Sequence, residues 1–130
     1  MIVTPIYAGI LAILFFGLSL RVIAVRGRVS LGDGGDPAVL RRMRGHANFA
    51  EYVPFILLMM GFLESGHTPA YLLHAFGATL VAARLLHGTA LSFTQKWFFG
   101  RFFGTLLTLG LLVICGSLCV FQGLRGAALL

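Results

Sequence analysis

Arg44, Asn48 and Glu51 stand four and then three residues apart in one predicted helix of this chain. At 3.6 residues per turn these offsets put a guanidinium, an amide and a carboxylate on one stripe, within about 40° of each other. The helix then stays apolar to Leu63, so Glu51 is expected roughly 10 Å below the nearer membrane surface, at 1.5 Å per residue. A carboxylate at that depth needs a cation beside it or must take up a proton. Arg84 and His87, three residues apart on the third helix, share a face at a similar depth. Arg101 opens the fourth helix and Arg21 closes the first. Four helices thus bring Arg21, Arg44, Arg84 and Arg101 to one level, with Asn48, Glu51 and His87 among them. An excess of arginines suits carboxylates or phosphates, and Glu51 with Asn48 adds a place for an amine or amide. The plainer reading of Arg84 and Glu51 is a structural ion pair. For Arg21, Arg41 and Arg42, near helix ends, it is snorkelling to lipid phosphates.

The elements that must position these groups are membrane helices. The chain has 130 residues, 58% hydrophobic and 11% charged. Soluble domains carry about 25% charged residues, so an ordinary soluble domain and a disordered chain are both excluded. A spanning helix takes about 20 apolar residues, which leaves room for four helices and three loops in a single domain over residues 1–130. We expect helices over about 5–25, 37–64, 69–93 and 98–122, an all-α integral membrane four-helix bundle running up-down-up-down. No span alternates with period two, which argues against a barrel. The first span is too long for a signal-peptide core and lacks a cleavage site. Thr4-Pro5, Asp36-Pro37 and Thr68-Pro69 each set a capping side chain before a proline and mark helix starts. Pro54 falls inside the second helix, where it should free a carbonyl near Ala50.

The loops are unequal. The first, Arg26 to Asp36, holds Leu31-Gly32-Asp33-Gly34-Gly35-Asp36, whose glycine spacing is not that of a dinucleotide-binding turn. Arg21, Arg26, Arg28, Arg41, Arg42, Arg44, Lys96 and Arg101 lie near loops one and three, against Arg125 alone at the opposite end. By the positive-inside rule loops one and three are cytoplasmic and both termini lie on the other side. Because the basic residues flank apolar spans, the net charge of +6 reports topology and not a nucleic-acid partner. Cys115 and Cys119 read as reduced packing residues, and no Cys-His cluster has metal-binding spacing. His46, His67 and His74 carry no assigned role. Phe98, Phe99, Phe102 and Phe103 read as lipid-facing or interfacial anchors, and the glycines of the first and last helices as sites of close packing.

The run Arg44-Gly45-His46-Ala47-Asn48-Phe49-Ala50-Glu51-Tyr52-Val53-Pro54 resembles the second-helix signature of the MAPEG family, membrane-associated proteins of eicosanoid and glutathione metabolism that include the microsomal glutathione transferases. The core of that signature is the arginine, the asparagine four residues on and the glutamate three further. Leu31-Gly32-Asp33-Gly34-Gly35 resembles the bacterial branch, and Arg84-Leu85-Leu86-His87 matches in the third helix. The resemblance covers all four helices and implies a protein of the bacterial inner membrane. It further implies a homotrimer that binds glutathione between subunits near the cytoplasmic face and adds its thiol to a lipophilic electrophile or uses it to reduce a peroxide. Carried over position by position, Arg44, Asn48, Glu51 and Tyr52 would hold glutathione, with Arg84 and His87 lining the site. Arg101 would stabilise the thiolate, and Arg21 matches loosely. A guanidinium beside a thiol favours the thiolate, the reactive form.

The thiol-activating half departs from the pattern. Catalytic members have a serine where this chain has Phe102, and often tyrosines where it has Leu91 and Thr105. A non-catalytic relative that binds a lipid or another anion is therefore the first alternative. A small four-helix drug transporter is the second, but its essential first-helix acid is missing here.

Overall fold

The computed structural model describes residues 1–26, 32, 34–93 and 98–127, with side chains outside 89–93. It contains α1 (Val3–Arg26), α2 (Pro37–Ser65), α3 (Ala70–Phe93) and α4 (Phe98–Ala127). Each is long and apolar enough to cross a membrane, and no strand occurs among the described residues. Arg28, Leu31, Asp33 and Lys96, read above as loop residues, lie outside the described residues.

Two helix boundaries correct the sequence reading. Thr4-Pro5 does not start α1, which begins two residues before the proline, at Val3. The cap comes from another helix. The Glu64 carboxylate, at the end of α2, accepts the backbone N–H groups of Val3 and Thr4, each at 2.8 Å, and that of Ile2. Those are the orphan donors of a helix start, so α1 needs no cap of its own. At the other end of the chain α4 runs to Ala127, five residues past the expected 122. The expectation for α2 holds: Asp36 caps it, accepting from Ala38 N at 2.7 Å with Pro37 in the first turn. The helix continues through Pro54 to Ser65. Gly66 N and Thr68 N then donate back to Phe62 O and Leu63 O, and His67 takes a left-handed φ of 63° that turns the chain toward α3.

α2 and α3 form the centre. α1 packs on both, α4 packs on both, and α1 and α4 do not touch among the described residues. Leu11, Phe49, Val53, Ile56, Met60, Leu80, Leu111 and Cys115 fill the core. Outside, the helices expose Phe16, Phe55, Phe62, Phe98, Phe99, Phe102 and Phe103, which suits hydrocarbon and not water. Two glycines set the approach of the helices. Gly77 of α3 receives the ring of Tyr7, whose hydroxyl donates to the His74 carbonyl and lies 3.1 Å from His74 Nδ1. At Gly104 of α4 a Cβ would sit 2.8 Å from the Ala83 carbonyl oxygen and 2.8 Å from His87 Cβ, so only glycine lets α4 lie this close to α3.

Candidate functional site

The close α3–α4 contact positions the central cation. Arg84 is 3% exposed. Its Nη1 donates to Asn48 Oδ1 at 2.8 Å, and its Nη2 donates to the Gly104 carbonyl at 3.3 Å and to the Thr108 hydroxyl. Thr108 in turn donates to the Gly104 carbonyl at 2.7 Å. A buried guanidinium is tolerable only when its donors are met, and α2 and α4 supply the acceptors. A guanidinium can only donate, so the Asn48 atom facing it must be the oxygen. That leaves the Asn48 Nδ2 group as an outward donor.

Beside Asn48 opens a pocket of about 190 Å³ walled by Arg44, Ala47, Asn48, Glu51 and His87. Arg44 and Glu51 are exposed on its rim, and the His87 ring is buried behind it. One concave surface therefore offers a cation, an anion, an amide donor and an imidazole. Arg101 is exposed at the start of α4 and lies within Coulombic reach of His87, but it is not part of the pocket wall. Tyr52 lies within Coulombic reach of Arg84. No group of three or more His, Cys, Asp or Glu side chains among the described residues could hold a metal ion.

The structure corrects three expectations. Arg84 and Glu51 are not an ion pair: Asn48 takes the guanidinium, and Glu51 turns to the surface. Glu51 is not buried within the chain. The four arginines do not converge on one site either. Arg21 lines a separate cleft between α1 and α3, because α1 packs on the far side of the α2–α3 pair from α4.

The MAPEG family model matches residues 4–121. The chain belongs to the MAPEG family. Inner membrane protein YecN of Escherichia coli (strain K12) is 34% identical over 87 residues, which cover 65% of this chain and 66% of the relative, slightly under two thirds of its length. The protein of the same name from Escherichia coli O6:H1 (strain CFT073) matches identically. No solved structure matches. This MAPEG chain is an integral membrane protein, and it shares its family with a bacterial inner-membrane protein.

Within the MAPEG chain, the Arg44, Asn48 and Glu51 stripe and His87 of α3 meet on one pocket wall, as their spacing suggests. Sequence reasoning missed Thr108 and the Gly104 carbonyl as the groups that hold Arg84. The available signal was the Gly104–Thr108 pair, one turn apart on a helix face. His46, left without a role, packs toward α1: it stacks on Phe15, with Nε2 3.1 Å from the Ser19 hydroxyl.

Proposed function

We propose that the pocket binds glutathione, and that the chain acts as a glutathione transferase or peroxidase on lipophilic compounds. The observation that carries this reading is Asn48 held by Arg84 beside Arg44, Glu51 and His87. Glutathione has two carboxylates, an ammonium and two amides. Arg44 suits a carboxylate, Glu51 the ammonium, and the Asn48 Nδ2 group an amide carbonyl. Membership of the MAPEG family supports the same ligand.

In the transferase reaction the thiol loses its proton, the thiolate sulfur bonds to an electrophilic carbon, and the displaced electron pair leaves with the departing group or is protonated. In the peroxidase reaction two thiols become a disulfide as the peroxide is reduced to an alcohol and water. Arg101 is the guanidinium that the family resemblance assigns to the thiolate, and in this reading it must reach the sulfur from outside the pocket wall of a single chain.

The site is completed by a second copy in a homotrimer. Glu51 is exposed in a single chain at membrane depth, where uncovered charge is costly, and Arg44 is exposed about two turns nearer the surface. The pocket of about 190 Å³ is also smaller than the roughly 300–1,000 Å³ of sites that enclose a ligand. Loops one and three face the cytoplasm, so soluble glutathione meets a lipid-borne partner at this end of the inner membrane.

A second reading, binding without thiol activation, rests on Arg101. It is exposed, lies outside the pocket wall, and is followed by Phe102 in place of a hydroxyl residue. Thiolate absorbance on adding glutathione to the purified protein, followed by conjugation of a lipophilic aryl halide, tests both. A thiolate band and product support the enzyme. Saturable binding with neither supports the second reading and overturns catalysis.

A further inference from the structure

A cavity of about 400 Å³ lies at the other end of the bundle, between the α2–α3 turn and the end of α4. It shares no wall residue with the pocket beside Asn48. Its volume falls within the roughly 300–1,000 Å³ of sites that enclose a ligand, which are mostly apolar with a few placed polar groups. Leu63 of α2, Leu72 of α3 and Leu118 and Phe121 of α4 give it apolar walls. Thr68, Gln122 and Arg125 are its polar ones.

The three polar residues say what fits. Arg125 is exposed, with its guanidinium over the Phe121 ring, 4.9 Å from the centroid. A ring face steadies the cation but does not neutralise it. Glu64, the described acid at this end, is taken up by the N–H groups of α1. Gln122 is fixed in place: its Nε2 donates to the Phe62 carbonyl at 3.1 Å, and its amide lies where a Cβ on Gly66 would be. With that nitrogen engaged, Oε1 is left as an acceptor, which needs a donor from the ligand. Thr68 donates its backbone N–H to the Leu63 carbonyl, which leaves its hydroxyl for the cavity. On α4, Gln122 stands three residues in from Arg125 and Leu118 seven. At 1.5 Å per residue they lie about 4–5 Å and about 10 Å deeper. From the bundle end inward the order is cation, acceptor, hydrocarbon. A lysophospholipid has the complementary order: phosphate, free glycerol hydroxyl, one acyl chain. A fatty acid lacks the hydroxyl. A diacyl phospholipid has esterified it and brings a second chain.

We propose that this cavity is a site for one lysophospholipid, with its phosphate at Arg125 and Thr68, its glycerol hydroxyl donating to Gln122 Oε1, and its acyl chain between Leu63, Leu72 and Leu118. The site is at the opposite end of the bundle from the pocket beside Asn48, so it stands whether or not that pocket binds glutathione.

Native mass spectrometry of the protein in detergent tests this, with palmitoyl lysophosphatidic acid, monopalmitin, palmitate and dipalmitoyl phosphatidic acid added in separate arms. Monopalmitin lacks the phosphate, palmitate the glycerol, and phosphatidic acid the free hydroxyl. Wild type should retain lysophosphatidic acid at least about fivefold better than each of the others, as expected for a charge-assisted contact or a buried hydrogen bond. Arg125→Gln should lower that retention to the level of monopalmitin and leave monopalmitin unchanged. Leu118→Trp, which fills the cavity, should lower retention of both. Arg26→Gln, which removes the same charge from the opposite end, should behave as wild type. Equal retention of lysophosphatidic acid and monopalmitin, equal or better retention of palmitate or phosphatidic acid, or undiminished retention by Arg125→Gln overturns the proposal. If Leu118→Trp does not fold, Arg125→Gln decides alone.

Discussion

Arg84 Nη1 lies 2.8 Å from Asn48 Oδ1, and this contact ties the middle of α3 to the polar stripe of α2. It fixes which end of the Asn48 amide faces outward, so a residue buried inside the bundle sets the donor pattern of an exposed pocket.

The support behind that contact is testable at α4. Thr108→Val removes one acceptor of Arg84 at nearly constant volume and should cost about 1 kcal/mol. Gly104→Ala forces a methyl group against the Ala83 carbonyl and His87 and should cost about 1–3 kcal/mol. Both should also weaken ligand binding, because both loosen Arg84 and with it Asn48. Denaturant unfolding in detergent reads the stabilities. Wild-type stability in Gly104→Ala would show that α4 does not lie this close to α3.

At the other end of the bundle, Glu64 substitutes for a local cap on α1. Glu64→Ala leaves three backbone donors without their acceptor and should cost about 1–2 kcal/mol. Glu64→Gln keeps an acceptor oxygen and should cost less. Hydrogen exchange at the amides of Ile2, Val3 and Thr4 is the direct readout. Exchange should rise in the alanine variant and stay unchanged in the middle of α1. Equal protection in wild type and Glu64→Ala would contradict the cap.

Much of this architecture is visible in the sequence. Four spans follow from apolar run lengths, although α1 starts two residues early and α4 ends five residues late, and the Arg44, Asn48 and Glu51 stripe follows from helix periodicity alone. What spacing cannot supply is the choice of partner across helices. Glu51 and Asn48 are both within reach of a neighbouring arginine by register, and charge favours Glu51. The structure instead pairs the half-buried neutral amide with Arg84 and leaves the carboxylate at the surface. Thr108 escaped notice because a threonine in an apolar helix bonds its own backbone without any partner, as Thr108 also does here. The cap of α1 was misassigned for a related reason: Thr4-Pro5 is a sound local signal, but an acid sixty residues away competes for the same N–H groups.

The arginine distribution predicts an orientation with loops one and three in the cytoplasm, and reporter fusions test it. A reporter fused after Leu130 and active only in the cytoplasm should stay silent, and one fused within loop one should be active. The reverse pattern would place the polar pocket on the side away from cytoplasmic glutathione.

The central claim is that the α2 stripe binds glutathione, and calorimetric titration of the purified protein in detergent measures it most directly. Wild type should give saturable heat at or below millimolar glutathione. Arg44→Ala and Glu51→Ala should each weaken affinity about tenfold, the equivalent of one charge-assisted bond. Absence of saturable heat in wild type, or unchanged affinity in both variants, would contradict the claim.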